Sequence, residues 1–229
     1  SNATDELLSR DPRNRWLARG LRIRMPAEMV RDHALAASGL LERKLGGPSV
    51  YPYQPAGIWS GLSPQPYPEA DALPDDQHHR RSLYSFVKRN APHPAMAVFD
   101  FPDRLAANVR RKTSNTPLQA LVLMDDPQYI EAYRVLAANT MKQATDPTRQ
   151  IIQVFRLATR RLPSDEELVA LKAYRDAEVA SFANDRAKAT ALLKTGRASL
   201  DPALDVVQLA ALTNVTAAVM NTPDAWSIR

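Results

Sequence analysis

The chain contains no cysteine. Disulfide bonds, thiolate metal sites and cysteine nucleophiles are therefore excluded. Glycine is scarce at 7 residues while proline reaches 18. That balance disfavours a sheet-rich fold with many tight turns and favours helices joined by stiff, extended loops. The most apolar stretch, between Leu204 and Val219, runs for about fifteen residues and includes Gln208, Thr213 and Asn214. It is too short and too polar to span a bilayer and reads as a buried helix. Basic residues form no run longer than the three at Arg110–Lys112. No nucleophile, base and orienting group stand in a recognisable catalytic pattern.

What is present is a chain of 229 residues, 45% hydrophobic, which is enough to bury a real core. The pattern predicts a mainly α fold, a multi-helix bundle with a long proline- and aromatic-rich loop. At most one small β element is expected, near 81–89. Residues 1–3 read as an expression scar. Residues 4–229 read as one mostly helical domain, with a basic, loop-rich half (4–112) and a helical half (113–229). Net charge is +5 and sits in the first half. From Thr113 onward thirteen basic residues face thirteen acidic ones. A polyanion partner is one account of that asymmetry. Arginines pairing with acids and loop carbonyls inside the fold is the preferred one, and no nucleic-acid recognition motif is present.

The stretch Arg110–Tyr129 is the most informative. Thr116 suits a helix cap, Pro117 its first turn, and Gln119 the position that reaches back in a capping box. Leu118, Leu121, Val122 and Met124 supply an apolar helical face. Asp126-Pro127 then starts a second helix with almost no loop between. Arg110 and Arg111 are expected to pair with acids and carbonyls around 100–104. Asn115 is expected to tie the incoming loop to the helix.

Along the rest of the chain, Thr4 to Arg24, with Trp16, Leu17, Leu21 and Ile23 interleaved among arginines, predicts a short helix or extended arm that docks by its apolar residues. A helix is predicted from Met25-Pro26 to about Leu45, with Met29, Val30, His33, Ala37, Leu40, Leu41 and Leu45 near one face and Gly46-Gly47 as its stop. His33 reads as a hydrogen-bonded helix histidine. Residues 48–74 form a long irregular stretch holding Tyr51, Tyr53, Gln54, Trp59 and Tyr67. Its polar second part, 64–76, is the candidate for mobility. Tyr51, Tyr53, Gln54 and Trp59 are the candidate ligand or partner surface. Trp59 is expected as a buried anchor, and the two tyrosines as an open stacking platform. His78-His79 do not chelate by themselves, and His93 and Met96, though haem-ligand types, read as core. Later helices are predicted at 127–143, from Asp146-Pro147, from a Ser164/Glu167 capping box, at 184–195 and from Asp201-Pro202.

Several segments together resemble a known family. They are Arg22-Ile23-Arg24, Ser38-Gly39, Gly46-Gly47-Pro48-Ser49-Val50 with Tyr53-Gln54-Pro55, and Arg80-Arg81-Ser82-Leu83-Tyr84. Phe99-Asp100, Pro102-Asp103-Arg104, Asn115 through Leu121, Asp126-Pro127-Gln128, Phe155 through Thr159 and Arg161-Leu162-Pro163 complete them. The series resembles the planctomycete-specific domain one, domain of unknown function 1553. The resemblance implies the C-terminal domain of an exported protein, periplasmic, envelope-bound or secreted. It also implies a companion domain and often a cytochrome c-like domain upstream, where haem c would be held. It brings no activity and no catalytic residues. Family members often carry a cysteine near Ala107 and an arginine near Thr113, which argues here against a role depending on either. The expected function is a non-catalytic accessory or interaction domain, its partners the upstream domains of the same polypeptide, with no cofactor of its own. The alternative is a carbohydrate-binding or carbohydrate-processing module using the 48–60 loop, with Asp100 and Asp103 as paired carboxylates.

Overall fold

A computed structural model describes residues 3–20, 23–55, 57–58, 75–89 and 91–228. In chain order its elements are α1 (Asp5–Arg10), β1 (Ile23–Arg24), α2 (Ala27–Ser38), α3 (Asp75–His78) and α4 (Pro94–Val98). Then come α5 (Pro117–Asp125), α6 (Pro127–Gln143), α7 (Pro147–Thr159), α8 (Asp165–Asn184), α9 (Arg186–Leu193), α10 (Val206–Met220) and β2 (Ser227–Ile228). The fold is mainly α, as the sequence pattern predicts. Among the described residues the one sheet is the antiparallel pair β1–β2, with Ile23 opposite Ile228.

Local chemistry starts the helices. Asp126 accepts from the Gln128 N–H at 3.0 Å and Asp146 from that of Arg149 at 2.9 Å. At α8, Ser164 and Glu167 satisfy each other's backbone N–H, at 3.2 and 2.8 Å. Each such cap is worth about 1 kcal/mol. Proline occupies the first turn of α5, α6 and α7, where its missing N–H leaves no bond unmade.

The core forms around α10, which packs on α6, α7, α8 and α9. Its Leu209, Ala210, Ala211, Leu212, Val215 and Val219 are all buried. A helix apolar on every side is stable only when surrounded. Thr213 and Thr216 are tolerated there because each hydroxyl donates back to a carbonyl one turn earlier, at 2.7 Å. Among the described residues no helix is long and apolar enough to cross a membrane.

Five local expectations are corrected. Helix α2 ends at Ser38, not near Leu45, because Gly39 takes φ +82 and closes it. Its buried face is Ala27, Val30, Arg31, Ala34, Leu35 and Ser38, so Met29 lies outside. Residues 82–84 form a 3-10 turn between isolated bridges at Arg80 and Ser85, not a strand. Trp16, Leu17 and Ile23 keep their side chains exposed rather than docked, although the Ile23 backbone pairs in β1, while Leu21 falls outside the described residues. Helix α10 begins at Val206, capped by Asp205, because Asp201 spends its carboxylate on the Ala203 N–H in a preceding turn.

Two glycines with the same backbone sign give an internal control. A Cβ at Gly39 would meet only the Asn139 amide, at 3.9 Å, so Gly39→Ala carries the left-handed backbone penalty of about 1–2 kcal/mol. At Gly196, φ +86, a Cβ would lie 2.6 Å from three side-chain carbons of Glu131. Gly196→Ala adds overpacking of about 1–3 kcal/mol to the same penalty. Urea unfolding of both variants should rank Gly196→Ala as clearly the more damaging. Equal losses would show that Glu131 is not fixed against this turn.

Candidate functional site

Two polar assemblies stand out. The first is centred on Asp100, just after α4, at φ +62. Its carboxylate accepts from Arg24 at 2.5 Å, and from the Ser114 N–H and hydroxyl at 2.8 Å each. Burial pushes this carboxyl up, but the bonds from Ser114 and Arg24 outweigh it and hold it below the usual carboxylate range. Gln119, buried, donates to Val98 O at 2.9 Å and to Ser114 Oγ at 3.1 Å. Its carbonyl oxygen accepts from the Thr116 N–H at 3.4 Å. Residues 101–113 thus form a loop whose two ends are pinned together and to α4 and α5. Such closed surface loops are often functional.

The outer side of this loop is open. Arg111 makes a two-pronged bond to Glu28 on α2, at 2.7 and 2.9 Å. Arg110 and Asn115 are exposed, with no side-chain partner among the described residues. Ser114, not Asn115, ties the loop, because adjacent residues of an extended segment point opposite ways. A cleft of about 200 Å³ opens here between Asp100, Phe101, Asp103, Asn108, Arg110 and Lys112. Apolar side chains of α5 and of the loop also face solvent. Leu118, Leu121 and Met124 on α5 are each about half exposed, at 52%, 52% and 50%, and Leu105 and Val109 on the loop more so. The apolar face predicted for α5 is therefore turned largely outward, and only Leu123 of its large apolar side chains is fully buried.

The second assembly is internal. Arg31, buried, donates to Gln128 Oε1 at 2.8 Å, Arg80 O at 2.8 Å, Ser82 Oγ at 3.2 Å and His78 O at 2.6 Å. Gln128 Nε2 lies 3.1 Å from His93 Nε2. Burial first, and the Arg31 charge second, push His93 down to about 3, so its ring is neutral. Burial raises Asp126 to about 6 despite its cap bond to Gln128 and the nearby Arg31. Next to this lies Glu131, fully buried. It accepts from the Tyr53 hydroxyl, from His79 at 3.0 Å, and from the N–H groups of Arg197 and Ala198 at 2.7 and 2.6 Å. Burial alone would raise its pKa. The bonds from His79, Tyr53 and Ala198 outweigh burial and bring it down to about 2.

These contacts place the sequence candidates. Tyr53 is buried and bonded to Glu131, which corrects its reading as an open platform. Tyr51 is half-buried, 4.8 Å from the Phe86 ring. Gln54 is half-buried, and Trp59 lies outside the described residues, as do residues 59–74 of the predicted loop. Asp103 caps the Leu105 N–H at 3.0 Å, and Asp100 is held by Arg24 and Ser114, so the two do not act as a free carboxylate pair. His33 bonds Ala158 O at 2.8 Å. His93 and Met96 are buried in the interior. Among the described residues no group of three or more His, Asp or Glu is placed to hold a metal. Arg24, Arg31, Ser114 and Glu131 were not singled out by sequence reasoning. A usable signal existed for one of them: Glu131 lies between Ile130 and Ala132.

Fold and site define a helical domain with two bonded polar assemblies and one pinned, partly apolar loop face. The chain belongs to the family described as PSD1, protein of unknown function (DUF1553), whose model matches residues 1–175. The matched span includes both polar assemblies except the Arg197–Ala198 turn, and it ends within α8, before α10. No curated protein and no solved structure matches the chain.

Proposed function

We propose that this chain is a non-catalytic accessory domain that docks on a companion protein domain through the outer face of loop 101–113 and α5. The observation that carries this is the run of half-exposed Leu118, Leu121 and Met124 along α5, together with exposed Leu105 and Val109 on the loop that precedes it. Contiguous exposed apolar side chains of this kind mark interaction surfaces. The pinned base of the loop adds rigidity, so little entropy is lost when it docks. The interior acids and bases support a structural rather than chemical role, because each is engaged by neighbours inside the protein. The family resemblance supports a companion within the same exported polypeptide. On that reading the site of action is periplasmic, envelope-bound or secreted, and haem c belongs to the upstream part. The polysaccharide alternative keeps one observation, the part-exposed Tyr51 and Phe86 rings beside Gln54.

Hydroxyl-radical footprinting tests the docking reading. Labelling of Leu121 and Met124 should fall sharply in the intact polypeptide relative to the isolated chain. Val169, exposed on α8, should label alike in both. Equal labelling at Leu121 and Met124 would overturn the proposal.

A further inference from the structure

We propose that the cleft behind loop 101–113 is a socket for a carboxylate side chain, so that the docked surface is acidic as well as apolar. This inference rests on the docking reading above and specifies the chemistry of the partner.

Several cations of the basic half are committed inside the fold. Arg24 holds Asp100, Arg31 is buried among carbonyls, and Arg111 holds Glu28. Arg80 donates to Lys44 O, Gly46 O and Pro48 O and covers the Tyr84 ring at 4.0 Å. Arg81 faces Asp32. Arg110 and Lys112 are different. Both are exposed, both line the cleft, and neither has a side-chain bond or ion pair among the described residues. Of the acids in the same lining, Asp100 is neutralised by Arg24, and Asp103 has one oxygen on the Leu105 N–H. Two free cations against the one Asp103 carboxylate leave the cleft a net single positive charge, in a lining that includes Phe101 and Pro102.

The size of that charge decides what it fits. Affinity for a nucleic acid comes from neutralising many phosphates along a strand. Two free cations on a loop that also exposes Leu105 and Val109 do not make such a track. An arginine fork and an ammonium in one lining do match a planar carboxylate, and the concave cleft of about 200 Å³, with Phe101 and Pro102 in its wall, holds an acidic side chain. An anionic bilayer would also attract a basic, apolar loop. The Asp103 carboxylate in the lining and the continuation of the apolar surface along a whole helix favour a protein.

The test uses the intact polypeptide with benzophenone-alanine in place of Leu121 and reads the yield of photocrosslinking to the companion domain. Arg110→Glu combined with Lys112→Glu should lower that yield about tenfold. It should leave the melting temperature unchanged, since both side chains are exposed. Replacing the crosslinked partner's nearest Asp or Glu by Lys should restore yield in the charge-reversed protein. If Leu118→Asp abolishes crosslinking while the charge reversal leaves it intact, the socket is wrong and the docking reading stands. If neither change matters, both are wrong. Charge-dependent co-sedimentation with phosphatidylglycerol vesicles and no protein crosslink would replace the partner with a membrane. Crosslinks only to a second copy of this chain would replace it with self-association.

Discussion

Glu131→Ala is expected to destabilise the protein by about 3–5 kcal/mol, the cost of breaking a buried charged network from one side. The carboxylate is the single acceptor for four donors from three separate parts of the chain: Tyr53, His79, and the turn at Arg197 and Ala198. Removing it leaves a buried hydroxyl and two backbone N–H groups without partners, each worth about 1–3 kcal/mol. Glu131→Gln should lose less, because one amide oxygen still accepts from the backbone pair. The acid limb of the stability profile separates the charge from the shape. The folded carboxyl sits near 2 against an unfolded value of 4.5. Its contribution is therefore fully present above pH 4.5 and disappears as pH falls through 2, a change of about 3 kcal/mol. Guanidine unfolding at pH 7 and at low pH should show the wild-type advantage over Glu131→Gln shrinking toward acid. Equal stability of the two proteins at pH 7 would sink this account.

The parts of this fold that are legible in the sequence are those written in neighbouring residues. Helix α6 is legible to the residue, because Asp126-Pro127 fixes its start, and the Ser164/Glu167 pair fixes the start of α8 in the same way. The inward face of α7, with Ile151, Val154, Phe155 and Ala158, follows from periodicity alone. What escapes is set by partners far along the chain. The β1–β2 pair joins residues about two hundred positions apart, and nothing local in Ile23 or Ile228 encodes it. Periodicity also mistook the face of α2, since it ranks Arg31 as surface and cannot know that four acceptors wait inside. For α5 the error runs the other way. Leu118 and Leu121 belong to its predicted apolar face, yet they face outward because Gln119 takes a buried position to hold the loop. That mismatch is what makes the α5 face a candidate docking surface.

Arg31 is where the second large effect is expected. Arg31→Met should cost about 3–5 kcal/mol at pH 8, since the carbonyls of His78 and Arg80, the Ser82 hydroxyl and the Gln128 amide all lose a buried donor. Part of that loss is offset, because burial disfavours the guanidinium itself and pushes its pKa down. The pH dependence then identifies the charge. Asp126 is raised by burial to about 6, above its unfolded 3.8, so its ionisation removes stability as pH rises through 6. Arg31 is the cation that limits this rise, and without it Asp126 should climb further and ionise at greater cost. His93 moves in the complementary sense. Burial and Arg31 together hold it near 3, below its unfolded 6.5, so protonating it removes stability as pH falls from 6.5 toward 3. Removing Arg31 relieves part of that penalty on the acid side. Asp126 therefore makes Arg31→Met more damaging at pH 8 than at pH 5, whereas His93 is neutral in the folded protein at both values and its relief shows only at lower pH. Arg31→Lys keeps the charge but not the fork, so it should lose stability without this added slope. Urea melts of the three proteins at the two pH values decide the matter. If Arg31→Met and Arg31→Lys lose the same amount at both, Arg31 acts only as a hydrogen-bond donor and its charge does not govern Asp126.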